Sequence, residues 1–337
     1  MNIRKFISAA AFTVLAAAFF IVPWICKPVR DYAPGIAVIT GILFAVLIGN
    51  PFQKYTGKLT SHLLGATIVG MGCGMNLLEV LKAGANGFIY TVIGISLGIG
   101  AGVFIGKRMG LSRDSMYLLS VGTSICGGSA IAAAAPALKA KPHDIALASA
   151  TVFALNAIAL LVFPKIGHLL GFSQEQFGYW AALGIHDTSS VVGAGLAYGE
   201  VALEVGTTVK LARALWIVPV TIWLSCFVAD REEGGKRKIQ VKIPWFIPGF
   251  LIAAAVVTWL PQWLPQASEA ITASGSMVKT VSKYLMITTL FLIGANLSKD
   301  KLRELGIKPV VHGMILWLLL ASIWCAAIYF HLVKCSA

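Results

Sequence analysis

Two short stretches of this chain combine residues that an apolar helix does not readily hold. The first is Gly122-Thr123-Ser124-Ile125-Cys126-Gly127-Gly128-Ser129-Ala130, where adjacent glycines and three hydroxyl residues interrupt an apolar run. Glycine costs about 1 kcal/mol per residue in a helix interior, so the pattern predicts an unwound segment. In lipid such a break is tolerated only where it lines a protein-enclosed cavity. A half-helix restarting near Ser129 would aim its N–H groups and positive dipole end at that cavity, with the Ser124 and Ser129 hydroxyls as further donors. That is chemistry for an anion, and Gly127 and Gly128 would let it approach the backbone. A small-residue packing face for a neighbouring helix is the alternative use of the same residues.

The second stretch is Gly184-Ile185-His186-Asp187-Thr188-Ser189-Ser190-Val191-Val192-Gly193. Ionisable residues inside a membrane segment are expensive and point to function. Imidazole titrates near neutrality and a carboxylate can exchange a proton, so His186 and Asp187 are the candidates for coupling proton movement to substrate movement. Thr188, Ser189 and Ser190 would complete the anion site from this second break. Alternatively the pair lies in a loop, with Asp187 capping a helix that starts near Thr188. Lys210 and Arg213 stand one turn apart and share a helix face. Two cations there suit an anionic substrate, Arg above all for its planar fork. Pairing with Asp187 or Glu204, or snorkelling to an interface, are their other uses. Asn76, Asn156 and Asn296, in or at the ends of apolar runs, are expected to be structural, bonding unwound backbone or a neighbouring helix.

The elements that must position these groups are membrane helices. Of the 337 residues 58% are hydrophobic and only 12% charged, with a mean hydropathy of +0.82. Soluble domains carry roughly 25% charged residues, and these apolar residues fall in runs of the length that spans a bilayer. The expectation is an all-α integral membrane protein forming one polytopic domain over 1–337. Eleven segments are read, roughly at 6–26, 33–50, 59–81, 84–106, 115–137, 144–164, 174–198, 203–228, 245–264, 274–297 and 309–331. A first half to about 229, a polar loop over 230–242 and the last helices from 243 onward divide it.

The net charge of +13 does not mark a nucleic-acid binder, because the basic residues sit in short segments between apolar runs. Lys54, Lys58, Lys107, Arg108, Arg113, Lys165, Arg231, Lys236, Arg237, Lys238, Lys242, Lys299, Lys301, Arg303 and Lys308 fall on one side. Lys27, Arg30, Lys82, Lys139, Lys141 and Lys334 fall on the other. The positive-inside rule then sets the N-terminus in the cytoplasm. The apolar run after Arg4-Lys5 is longer than a signal-peptide core and is expected to stay as a first helix. The six cysteines are scattered singly and imply neither disulfide framework nor metal site. No Walker A sequence is present, so no ATP and no other cofactor is expected.

Gly74-Met75-Asn76-Leu77 and Gly294-Ala295-Asn296-Leu297 suggest an inverted-topology repeat, since the third and tenth segments that end on them run oppositely. One difficulty is visible at this stage. If every segment crosses fully, the fifth and seventh, which carry the two breaks, run in the same direction, whereas paired crossing helices of an inverted repeat run oppositely.

The motifs SVGTSICGGSAIAA, GYWAALGIHDTSSVVGA, KLARALWIVPV and LIGANL, taken together and in this order, resemble the YeiH family of sulfate exporters, and the resemblance covers nearly the whole chain. It implies a bacterial inner-membrane protein in the superfamily of cation/proton antiporters and anion transporters, with inverted repeats and broken helices near the membrane centre. The expected function is a proton-coupled, alternating-access secondary transporter exporting a small anion, sulfate or a related sulfur oxyanion or sulfonate. A passive anion channel and a cation/proton antiporter working through Asp187 are the alternatives. An intramembrane hydrolase is disfavoured, because adjacent His and Asp do not form a relay to one nucleophile and no nucleophile motif is evident. The expected partners are the anion, protons or another coupling ion, and the lipid bilayer, with a homodimer compatible with this reading.

Overall fold

The computed structural model describes residues 3–26, 33–228, 245–296 and 306–333, with side chains for all but 3–5 and 227. The polar loop 230–242 lies outside the described residues, with Arg231, Lys236, Arg237, Lys238 and Lys242. So do Lys27, Arg30, Leu297, Lys299, Lys301, Arg303, Lys334 and Cys335.

All regular structure among the described residues is helical, as the composition requires, because a helix satisfies its own backbone groups where lipid offers none. In chain order the helices are α1 (Ile3–Ile25), α2 (Ala33–Leu47), α3 (Gln53–Gly72), α4 (Leu77–Arg108), α5 (Arg113–Ser124), α6 (Gly128–Leu138) and α7 (Pro142–Leu169). They continue as α8 (Gln174–Gly184), α9 (Thr188–Tyr198), α10 (Glu200–Ala214), α11 (Ile217–Trp223), α12 (Phe246–Trp263), α13 (Ser268–Ala295) and α14 (Ile307–Tyr329). Among the described residues seven stretches are long and apolar enough to span a bilayer: Phe6–Ile25, Leu77–Arg108, Pro142–Leu169, Glu200–Cys226, Phe246–Trp263, Pro265–Ala295 and Ile307–Tyr329.

The chain divides into two compact units. The first takes Met1–Lys82, Leu196–Gly199 and Pro244–Lys299; the second takes Ala83–Gly195, Glu200–Ile243 and Asp300–Ala337. In the first unit α13 packs against α1, α2, α3 and α12. Helices α2 and α13 approach closely at Gly41 and Gly294. A methyl on Gly41 would strike the Phe291 carbonyl oxygen, and one on Gly294 the Val38 carbonyl oxygen. Two bare backbones in contact give helix association in lipid its dispersion energy.

The two expected structural asparagines of this unit do different work. Asn296 Oδ1 accepts from Thr56 Oγ1 at 2.5 Å and from Asn50 Nδ2 at 3.2 Å, and its Nδ2 donates to Thr60 Oγ1 at 3.0 Å. Asn76 lies outside the end of α3 and caps α4, its Oδ1 accepting from the Leu78 N–H at 2.8 Å. The repeated Gly-x-Asn-Leu text therefore does not mark equivalent contacts.

The second unit departs from the sequence reading in its most informative feature. The stretches read as the fifth and seventh spans do not cross. Each is a pair of half-length helices that doubles back. The helices α5 and α6 have 12 and 11 residues, about 18 and 17 Å at 1.5 Å per residue, half the thickness of a bilayer core. Their far ends return together. The Lys141 N–H, just beyond α6, donates to Asp114 Oδ2 at 3.1 Å in the first turn of α5. A straight continuation would have put these groups tens of ångströms apart. Asp144 closes the base, its Oδ1 accepting from Ser112 Oγ at 2.8 Å and Ser115 Oγ at 2.5 Å.

The helices α8 and α9 repeat the device, with 11 residues each. After α9 the Val201 N–H donates to Gln174 Oε1 at 3.0 Å, at the start of α8. A methyl on Gly195 of α9 would come within 2.8 Å of Leu203 Cα, so α9 and α10 also run back to back.

Helix α7, 28 residues or about 42 Å long, connects the two hairpins. The α5/α6 base sits at its N-terminal end, and α8 begins just beyond its C-terminal end. The hairpins therefore enter from opposite ends of α7, which removes the difficulty of two parallel crossings. The eighth span also differs from a continuous helix, turning at Leu215-Trp216 between α10 and α11. Pro219 supplies the cause, since it has no N–H to donate to the Leu215 carbonyl four residues earlier.

Candidate functional site

The two hairpin tips meet beside the middle of α7. The first break, Ile125-Cys126-Gly127, carries Gly127 at φ 67° and ψ −129°, a conformation that only glycine adopts without strain. A methyl on Gly127 would lie 3.0 Å from Asp187 Cβ in the other tip and 3.3 Å from Val152 Cγ1 of α7. One on Gly128 would lie 2.9 Å from the Phe153 ring. The second break, Ile185-His186-Asp187, is held by Asn156 of α7, whose Oδ1 accepts from the Asp187 N–H at 3.2 Å. The sequence reading thus placed both breaks; of the two uses it left open for Asn156, the bond to unwound backbone is the one seen here. The structure brings all three together.

Each tip ends one helix and begins another, so it carries one set of unpaired carbonyls and one set of unpaired N–H groups. The carbonyls are met by α10. Arg213 Nε donates to Ser124 O at 2.7 Å and Nη2 to Thr123 O at 3.3 Å, both at the end of α5. Its Nη1 donates to Ala182 O at 2.9 Å and Leu183 O at 2.8 Å, at the end of α8. Lys210 Nζ donates to Ile185 O at 2.7 Å and Ala182 O at 3.4 Å. Cations at the negative ends of two helix dipoles are electrostatically well placed.

Lys210 and Arg213 are 0% and 1% exposed, and among the described residues neither is bonded to a carboxylate. Expected as ligands for substrate charge, they spend their hydrogen bonds on the hairpin backbone.

Asp187 plays the capping part weighed as the alternative. Its Oδ1 accepts from the Ser189 N–H at 2.6 Å, Ser189 Oγ stands 2.7 Å from both carboxylate oxygens, and Ser190 Oγ donates to Oδ2 at 3.0 Å. Ser189 and Ser190, expected as anion donors, are thus turned to the carboxylate of their own helix. Thr188 is buried at the first position of α9. Ser124 is also displaced from its expected role. It closes α5 rather than opening α6, and its hydroxyl lies against Gly98 of α4, where a methyl would strike it. Ser129 is exposed in the first turn of α6.

His186 is 1% exposed and neither ring nitrogen has a hydrogen-bond partner among the described residues. Its ring centroid is 6.2 Å from that of Trp317 on α14. Helix α14 backs both hairpins: Gly313 lies against Thr151 and Leu155 of α7, and Trp180 Nε1 of α8 donates to Ala321 O at 3.0 Å.

Thr151, Thr207, Thr208 and Trp317 escaped the sequence reading. Their side-chain polar atoms, the Thr123 hydroxyl and Asn156 Nδ2 are buried with no partner among the described residues. Burying an unmade hydrogen bond costs about 1–3 kcal/mol, so this concentration makes the junction of the two breaks the candidate site. The available signal was the Thr207-Thr208 pair preceding Lys210 in an apolar run. The arrangement is two buried cations to one carboxylate, with unpaired donors close by.

A profile of the family described as Conserved hypothetical protein 698 matches residues 7–313. The UPF0324 membrane protein of Bdellovibrio bacteriovorus is 52% identical over 294 residues, covering 87% of either chain. That of Geobacter sulfurreducens is 43% identical over 327 residues, 97% of either chain, and that of Bacteroides thetaiotaomicron is 43% identical over 298 residues, 88% of this chain and 86% of its own. No solved structure matches. A profile match over most of the length and relatives this similar place the chain in the UPF0324 membrane protein family, Conserved hypothetical protein 698.

Proposed function

We propose that this protein is a secondary transporter for a small anion, bound where the two hairpin tips meet and carried by alternating access in a bacterial inner membrane. The observation that carries the reading is the charge balance at that junction. Lys210 and Arg213, both fully buried, face a single carboxylate, Asp187, already held by Ser189 and Ser190. An excess positive charge in a low-dielectric interior calls for a mobile anion, and helix N-termini supply N–H donors to hold one. Half-length helices entering from opposite ends of α7 also give thin barriers on either side of the junction, which access from one face at a time requires.

Sulfate is the first anion to try, on the resemblance of the tip motifs to sulfate exporters; thiosulfate and small sulfonates follow. The coupling proton is assigned to His186, whose ring nitrogens are both unpartnered, with Asp187 adjacent to it. Cation/proton antiport through Asp187 fits less well, because hydroxyl and backbone donors already occupy the carboxylate.

The test is uptake of radiolabelled sulfate into proteoliposomes of the purified protein, with and without an imposed pH gradient. Accumulation against a concentration gradient, driven by the pH gradient, supports the reading; equilibration alone makes the protein a passive anion pathway, and absence of flux removes sulfate. His186→Ala is expected to abolish the pH-gradient dependence, and unchanged dependence would take the proton role from it.

A further inference from the structure

Among the described residues the N-terminus of α6, unlike the other hairpin-tip ends, has no charged side chain bonded to it. At the tip of α9 the Asp187 carboxylate accepts from the Ser189 N–H, and at the ends of α5 and α8 Arg213 and Lys210 donate to the carbonyls. On α6 the Gly127 N–H donates to Gly122 O at 2.9 Å and the Ile131 N–H to Gly127 O at 3.1 Å. Between them the N–H groups of Gly128 and Ser129 have no partner among the described residues.

A second, independent group stands at the same junction. Asn156 is 2% exposed. The bond its Oδ1 accepts from the Asp187 N–H fixes which way round the amide lies, since a second N–H facing that donor would repel it. The Nδ2 group is then left as a buried donor with no acceptor among the described residues. Asn156 lies one helical turn beyond Val152, whose Cγ1 is 3.3 Å from where a methyl on Gly127 would sit.

We propose that Asn156 is a ligand-binding, specificity-determining residue. Its Oδ1 holds the second hairpin tip, while its Nδ2 donates to an anion seated on the N-terminus of α6. The inference rests on the anion-transport reading and deepens it. Because the groups that would hold this anion, the Gly128 and Ser129 N–H groups and Asn156 Nδ2, can only donate, while the neighbouring carbonyls already serve Arg213 and Lys210, this seat favours an oxyanion with no proton to give. A hydrogen phosphate ion would bring a hydroxyl that meets donors only, leaving one hydrogen bond unmade, and such mismatches discriminate strongly.

The experiment measures binding of radiolabelled sulfate and of radiolabelled phosphate to the purified full-length protein, near neutral pH where phosphate keeps a proton. The wild type is expected to prefer sulfate. Asn156→Asp keeps an oxygen for the Asp187 N–H but replaces the free donor with an acceptor. Its added charge repels both anions, so the readout is the ratio of the two affinities, which is expected to fall by about tenfold or more. A purely structural Asn156 would weaken both anions alike, and an unchanged ratio overturns the proposal while leaving anion transport standing. Absence of binding of either anion to the wild type overturns both together. Should Asn156→Asp fail to fold, Asn156→Thr, whose hydroxyl donates or accepts, carries the same test in the same direction.

Discussion

Arg213 joins the two hairpins through a single side chain, with Nε and Nη2 on the end of α5 and Nη1 on the end of α8. Replacing it with Met keeps much of the volume and removes every donor, so the carbonyls of Thr123, Ser124, Ala182 and Leu183 lose their partner. Each that water cannot reach costs about 1–3 kcal/mol. Arg213→Met is therefore expected to lower the thermal unfolding midpoint of the detergent-solubilised protein by several degrees, and Arg213→Lys by less. A wild-type midpoint for Arg213→Met would show that the carbonyls find other donors. At this scale the chemistry was legible as residue types: cations inside an apolar run and glycines beside hydroxyls stand out in any window. Their partners were not legible. Ser124 O and Arg213 are 89 residues apart, and a pattern along the chain does not reveal that a buried cation faces carbonyls rather than a substrate.

At the scale of elements the breaks themselves were readable, because glycine and clustered hydroxyls disfavour a continuous helix wherever they occur. That the chain doubles back was not. Hydropathy records how apolar a stretch is and carries no direction, so two half-helices in series look the same whether they continue or return. What distinguishes them is the base of each hairpin: in the first, Ser112, Ser115 and the Lys141 N–H gather on Asp144 and Asp114, and in the second the Val201 N–H meets Gln174. Ser112 also caps α5 by accepting from the Ser115 N–H at 3.1 Å. Asp144→Ala would leave two hydroxyls without their acceptor and loosen that base. Hydrogen exchange is expected to quicken in the first turn of α5 and the last turn of α6, with α8 and α9 unchanged. Uniform exchange across both hairpins would mean that the base does not hold the pair closed.

For the whole molecule the hairpins change which residues share a membrane face. Counting eleven full crossings puts Lys139 and Lys141 on the face opposite Arg113, and Lys165 on the same face as Arg113. A first hairpin that returns to its own side moves Lys139 and Lys141 to the Arg113 face, and α7 then carries Lys165 across. The corrected arrangement strengthens the positive-inside asymmetry, since two lysines join the basic side and one leaves it. Single cysteines at Leu111, Lys141 and Leu169, in a chain otherwise free of cysteine, read this out with a membrane-impermeant thiol reagent. Leu111→Cys and Lys141→Cys are expected to label from one face, the cytoplasmic one, and Leu169→Cys from the other. If Lys141→Cys instead labels with the periplasmic face and Leu169→Cys with Leu111→Cys, α5 and α6 cross the bilayer as one span. The thin-barrier geometry behind alternating access at the α7 midpoint would then be lost, while the tip contacts of Arg213 and Asn156 would still need explaining.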